Sequence, residues 1–114
     1  MLVFGKLKVE RCKVDIAKSK NNVPIRLTEE RWFHIVENHD ELAGYYDEVL
    51  NTIEDPDFII KGYRGALIAL KKMNNKFLAV IYKELNPNEG FIITAYFTSK
   101  IKLKKEEIIW QKQF

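Results

Sequence analysis

The sequence predicts an α+β fold: two N-terminal helices packed on one face of a four-stranded antiparallel meander. Three observations carry that prediction. Apolar residues between 28 and 54 recur at a helical spacing, the spacing drops to two from Asp57 onward, and short turn signals cut the second stretch into four runs. Helices first and strands after is the α+β order, in which the helices gather on one side of the sheet.

Taken in order, Leu2 to Lys13 alternates loosely and reads as a strand or half a hairpin, which Val14-Asp15-Ile16 can continue. Ser19 to Pro24 is polar, rich in turn formers and ends in proline, so it reads as a loop. The first helix is predicted over 28–38. Thr28 can cap it through its hydroxyl, and Glu29 and Glu30 complement the positive end of its dipole. Trp32, Ile35, Val36 and His39 fall at i, i+3, i+4 and i+7 on one face, while His34 points to the polar side. The second helix is predicted over 41–54, with Leu42, Tyr45, Tyr46, Val49, Leu50 and Ile53 as its stripe, and Pro56 ends it.

The strands follow as 58–63, 66–73, 76–84 and 91–98. Arg64-Gly65 and Asn74-Asn75 are turns, the second suited to a tight hairpin because Asn tolerates positive φ. That hairpin sets Lys71 opposite Leu78 and Lys72 opposite Phe77, so the two lysines point to opposite sides. In the fourth strand Phe91, Ile93, Ala95 and Phe97 are predicted to face the helices, leaving Ile92, Thr94, Tyr96 and Thr98 on the other face. The expected core comprises Trp32, Ile35, Val36, Val49, Ile53, Ile68, Ile81, Ile93 and Phe97. The basic run Ser99 to Lys105 suits either phosphate contacts or a lysine-protected edge strand, and Ile108, Ile109, Trp110 and Phe114 can tack the tail onto the body.

A length of 114 residues predicts one domain able to bury a core without staples. The apolar fraction of 46% and charged fraction of 31% are those of a globular protein in water. A net charge of +3 permits an acidic partner such as RNA without requiring one. The single Cys12 has no internal partner for a disulfide, which fits a reducing cytoplasm. No apolar run is long enough to span a membrane, and no secretory leader is legible, so Met1 onward reads as mature protein.

Several chemistries are set aside. The chain has no glycine-rich phosphate loop, no cysteine cluster for zinc and no serine or cysteine nucleophile motif. Two histidines five residues apart do not share a helical face, so a helical two-histidine metal site is not expected, nor is a cofactor. What remains, His34, His39, Tyr96, Arg64 and the lysines, can do acid–base work. Cleaving RNA needs little else: a base takes the ribose 2′-proton, the oxygen attacks the adjacent phosphate, an acid protonates the leaving 5′-oxygen, and donors steady the phosphorane. The plainer reading makes His34 a surface residue, His39 a cap for helix carbonyls, and the Thr94/Tyr96/Thr98 face a solvated sheet face.

Arg26-Leu27-Thr28, Glu30-Arg31-Trp32, His34-Ile35-Val36-Glu37 and His39-Asp40-Glu41-Leu42 together resemble the opening of the phage-type branch of the barnase–EndoU–colicin–RelE (BECR) nuclease superfamily. The resemblance continues in Ile53-Glu54-Asp55-Pro56-Asp57, Tyr82-Lys83-Glu84, Gly90 to Thr98 and Trp110-Gln111. It covers residues 26–114 as a core domain and leaves 1–25 as an N-terminal extension with room for an extra strand. It implies helices against a four-stranded antiparallel sheet and a metal-independent ribonuclease, toxin-like or encoded by a phage or mobile element. On that reading His39, His34, Tyr96 and Thr98 are catalytic, and Thr94, Arg64, Lys71 and Lys72 bind substrate. No metal or cofactor is expected. The partners are single-stranded RNA or tRNA and an inhibitory antitoxin protein, in the cytoplasm. The chain departs from the superfamily pattern on the second strand: where an arginine is expected, Leu70-Lys71-Lys72 offers only lysines, which neutralise a phosphate without gripping it in a planar fork. Two other roles compete: a nucleic-acid- or protein-binding module of the same fold without the chemistry, and an accessory protein that assembles a mobile element.

Overall fold

Thr28 does cap the first helix, its hydroxyl accepting the Arg31 amide at 3.0 Å; the expected loop runs over 19–23, and a strand, Pro24–Thr28, stands between it and the helix. The computed structural model describes residues 13–113; the strand expected over 2–12 and the contact expected of Phe114 lie outside them. The elements run β1 (Val14–Lys18), β2 (Pro24–Thr28), α1 (Glu29–Asn38), α2 (Tyr46–Glu54), β3 (Phe58–Lys61), β4 (Leu67–Met73), β5 (Lys76–Asn86), β6 (Glu89–Thr98) and β7 (Ile108–Gln111). One seven-stranded sheet has the order β1-β2-β6-β5-β4-β3-β7, antiparallel except where β2 runs parallel to β6.

The α+β class therefore holds, while the four-stranded antiparallel meander does not. Three more strands join the sheet, one pair is parallel, and a hairpin precedes the helices. The reason lies in a short alternation. Ile25 and Leu27 of β2 are completely buried, while Pro24 opens the strand, a position where a missing N–H is tolerated. Because β2 turns straight into α1, it meets β6 only after a long excursion through both helices and three strands, the kind of connection a parallel pair needs.

The second helix is also shorter than the apolar stripe suggests. Asp40–Leu42 is a single 3-10 turn, and Gly44, at φ +90°, breaks the helical path before α2 begins. Leu42 is fully buried all the same, so the stripe marks burial correctly and misplaces the helix start.

On the helix side of the sheet Ile35, Leu42, Val49 and Ile53 pack on Ile25, Leu27, Ala69, Leu78, Val80, Tyr82, Ile92 and Ala95. Of the expected core, Ile35, Val49 and Ile53 are buried; Trp32 and Phe97 pack against the cluster half-buried, and Val36, Ile68, Ile81 and Ile93 are half-buried. Ile93 fails for a specific reason. A β-bulge there shifts the phase, so that Tyr82 pairs with Ile92 and Ile81 with Thr94. Ile92, Ala95 and Phe97 face the helices as a result, and Phe91 moves to the opposite face with Thr94, Tyr96 and Thr98. The β4–β5 hairpin has the expected register, with Lys71 opposite Leu78, Lys72 opposite Phe77 and Asn74 at φ +59°.

After β6 the chain crosses the face turned away from the helices to reach β7 at the far edge beside β3. The basic run, read as suiting either phosphate contacts or an edge strand, is this strap. Its Ile101 and Leu103 pack with Phe58, Ile60, Ile68, Leu70, Phe77 and Ala79, while Lys100, Lys102, Lys104 and Lys105 stay exposed. Lys20 at the β1–β2 turn lies 5.0 Å from the Trp110 ring of β7, so the two ends of the sheet curl toward each other around α2. Among the described residues no helix is long and apolar enough to cross a membrane.

Candidate functional site

β2 pairs with β6 only at Ile25–Gly90 and Arg26–Phe91. Beyond Phe91 the outer edge of β6 has no strand beside it among the described residues, and α1 packs along it instead. The helix ends at His39, whose amide closes the last turn on the Ile35 carbonyl at 2.8 Å. With φ −140° and ψ 72° the residue has left helical geometry, and its ring is directed at the sheet. The imidazole lies 5.7 Å, centroid to centroid, from the Tyr96 ring, tilted 39° to it. Its Nδ1 is 3.9 Å from a Glu41 carboxylate oxygen, and about a third of the side chain is open to solvent.

Thr94 and Thr98 flank Tyr96 on the same face of β6, each half-buried. The Thr98 hydroxyl accepts the Lys100 amide at 3.1 Å, which leaves its own proton free to be donated. Lys72 reaches this face through the row Lys72–Phe77–Thr98, with its amide bonded to Asp57 at 2.8 Å and its side chain exposed. The face is narrower than the sequence suggests: the strap covers its middle with Ile101 and Leu103, and one side of Tyr96 belongs to that apolar cluster. The open part is the strip along β6.

The other expected members lie elsewhere. His34 is largely exposed on α1 and pairs with Glu37 of its own helix, Nδ1 to carboxylate 3.7 Å. Lys71 is on the helix side, where its Nζ donates to the Asp55 carbonyl at 2.9 Å and the Asp55 carboxylate at 3.1 Å. Arg64 occupies a left-handed position, φ +53°, in the turn between β3 and β4, exposed at the opposite end of the sheet from Thr98. The site thus gathers His39, Tyr96, Thr94 and Thr98; Lys72 shares the face but lies two strands away on β4, and His34, Lys71 and Arg64 are elsewhere.

At the other end of the same strip a cleft of about 210 Å³ opens where β2 leaves β6, lined by Arg26, Thr28, Arg31, Phe91 and Ile92. Neither arginine figured among the expected site residues. Arg31 and His39 stand four residues on either side of buried Ile35, a spacing that was legible but points nowhere until β6 is known to lie alongside. Among the described residues no three His, Cys, Asp or Glu side chains gather as metal ligands. Compared with known proteins, the chain matches no family model, no curated protein and no solved structure.

Proposed function

We propose that this protein is a metal-independent ribonuclease of the kind the BECR resemblance implies, cutting RNA through the ribose 2′-hydroxyl. The observation that supports the reading is the contact of His39 with Tyr96 on an open strand edge, between Thr94 and Thr98. A phosphodiester laid along that strip meets an imidazole, a phenol and two hydroxyls. Imidazoles as a class titrate near neutrality and suit proton transfer in either direction. With His34 turned to Glu37, the second proton carrier is Tyr96: His39 removes the 2′-proton and the phenol serves the leaving 5′-oxygen, or the two exchange these roles. The threonine hydroxyls then steady charge on the phosphorane. The substrate is single-stranded RNA or tRNA. The proposed setting is the cytoplasm, in a toxin-like or mobile-element role, with a protein antitoxin as the restraining partner.

One observation favours a binding module instead. Lys71, on the strand where the superfamily pattern expects an arginine, is held by Asp55 and is not free to hold a phosphate. The two readings separate on chemistry. The ribonuclease cuts RNA in excess chelator, His39→Ala lowers the rate by roughly 10²–10⁴, and Tyr96→Phe costs a comparable factor because it removes the second proton carrier. RNA left whole by folded protein at high concentration, with binding retained, establishes the module.

A further inference from the structure

We infer that Arg26 and Arg31 form a phosphate subsite for an RNA strand running along α1 and the open edge of β6 toward His39 and Tyr96. The inference rests on the RNA reading above and adds to it the residues that hold the strand. Arg26 and Arg31 both line the cleft at the Phe91 end of the strip. Arg31 is exposed and makes no salt bridge among the described residues. Among the described residues Arg26 has a single partner, Glu89, at 3.4 Å between half-exposed side chains, a pairing that is inexpensive to exchange for phosphate. Phe91 shares the cleft and lies on the face that carries Tyr96, giving a base an aromatic surface beside the phosphate.

Direction follows from the helix. Arg31 and His39 are eight residues apart, roughly 12 Å along the axis and within about 80° around it. Both border β6, Arg31 at Phe91 and Ile92, His39 at Tyr96. The guanidiniums are therefore too far from Tyr96 to touch the phosphate being cut and suitably placed for one further along the strand. Arginine suits that task because its planar fork matches two phosphate oxygens at once. The fork that the central sheet lacks is thus supplied from the junction of β2 and α1.

The test uses a fluorescein-labelled, non-cleavable 2′-O-methyl oligouridine of about eight nucleotides, within the usual size of a single-strand site. Its affinity is measured across salt concentrations. Arg31→Gln is expected to weaken binding about tenfold, as loss of a charge-assisted hydrogen bond does. The slope of log affinity against log salt should become shallower by about 0.7, one phosphate contact on a single strand. Arg31→Lys should keep the slope and lose part of the affinity. Lys61→Gln, which removes the same charge from an exposed position on β3, should change neither. Thermal melting confirms that each variant is folded, and Arg26→Gln repeats the measurement from a second position. If Arg31→Gln behaves like Lys61→Gln while the wild type still cuts RNA, the subsite is wrong and the ribonuclease reading stands. Arginine-dependent binding without any cleavage keeps the subsite and overturns the ribonuclease. Absence of both binding and cleavage overturns the two together.

Discussion

A single carboxylate, Asp55, ties three parts of the chain together. It ends α2, accepts from Lys71 of β4 at 3.1 Å, and lies 3.2 Å from Lys112 in the tail. The Lys71 hydrogen bond, then that of Lys112, holds its carboxyl below the usual carboxylate range. A group whose pKa is lower folded than unfolded adds stability above its unfolded value and loses that contribution as the pH falls through the folded one. Asp55→Asn should therefore unfold at a lower denaturant concentration than the wild type near pH 7, and the gap should close as the pH drops below about 4. A gap that persists unchanged in acid would show that the ion pairs are not its source. The same bonds hold Lys71 on the helix side of the sheet: its spacing in the sequence is that of an available strand lysine, and nothing there signals a partner sixteen residues upstream. His39 is the opposite case. Periodicity places it at the frayed end of a helix, where a side chain is free to turn, and Tyr96 is what it turns to.

Among the elements, β6 carries the most consequence, and its placement depends on Gly90. A Cβ there would stand 2.4 Å from the Lys83 carbonyl oxygen and 2.6 Å from Ile25 Cδ1, so β2 and β5 close on β6 only around a glycine. Gly90→Ala is expected to cost about 1–3 kcal/mol, the usual range for forcing a methyl into a packed site. It should also weaken any activity by shifting the edge on which Tyr96 stands; a urea midpoint equal to that of the wild type would refute this packing. Strand periodicity made the stretch from β3 to β6 legible, hairpin register included, because each run is long and bounded by a turn signal. Two features escaped. β2 offers only two inward residues, Ile25 and Leu27, too few to separate from the approach to a helix cap. The bulge at Ile93 leaves no mark in composition, yet it moves Phe91 onto the face of Thr94 and Tyr96.

At the scale of the whole molecule the sheet is covered on both sides, by the helices on one and by the Ile101–Leu103 strap on the other. That arrangement closes most of a face that alternation alone left open, and confines the proposed chemistry to the strip along β6. The strap was hard to foresee because alternating Lys and apolar residues suit an edge strand equally well; what decides between them is that β7 pairs beyond β3, which obliges the chain to cross. The proposed cleavage has one chemical requirement of its substrate, a ribose hydroxyl beside the phosphate. The most direct measurement is cleavage, in excess chelator, of a DNA oligonucleotide containing a single ribonucleotide. A cut is expected only at that ribose, leaving a 2′,3′-cyclic phosphate, with the all-DNA strand intact and the ribose step cut roughly 10²–10⁴ more slowly by His39→Ala. Cutting of the all-DNA strand, or an intact ribose step under conditions where the protein binds the oligonucleotide, would contradict it.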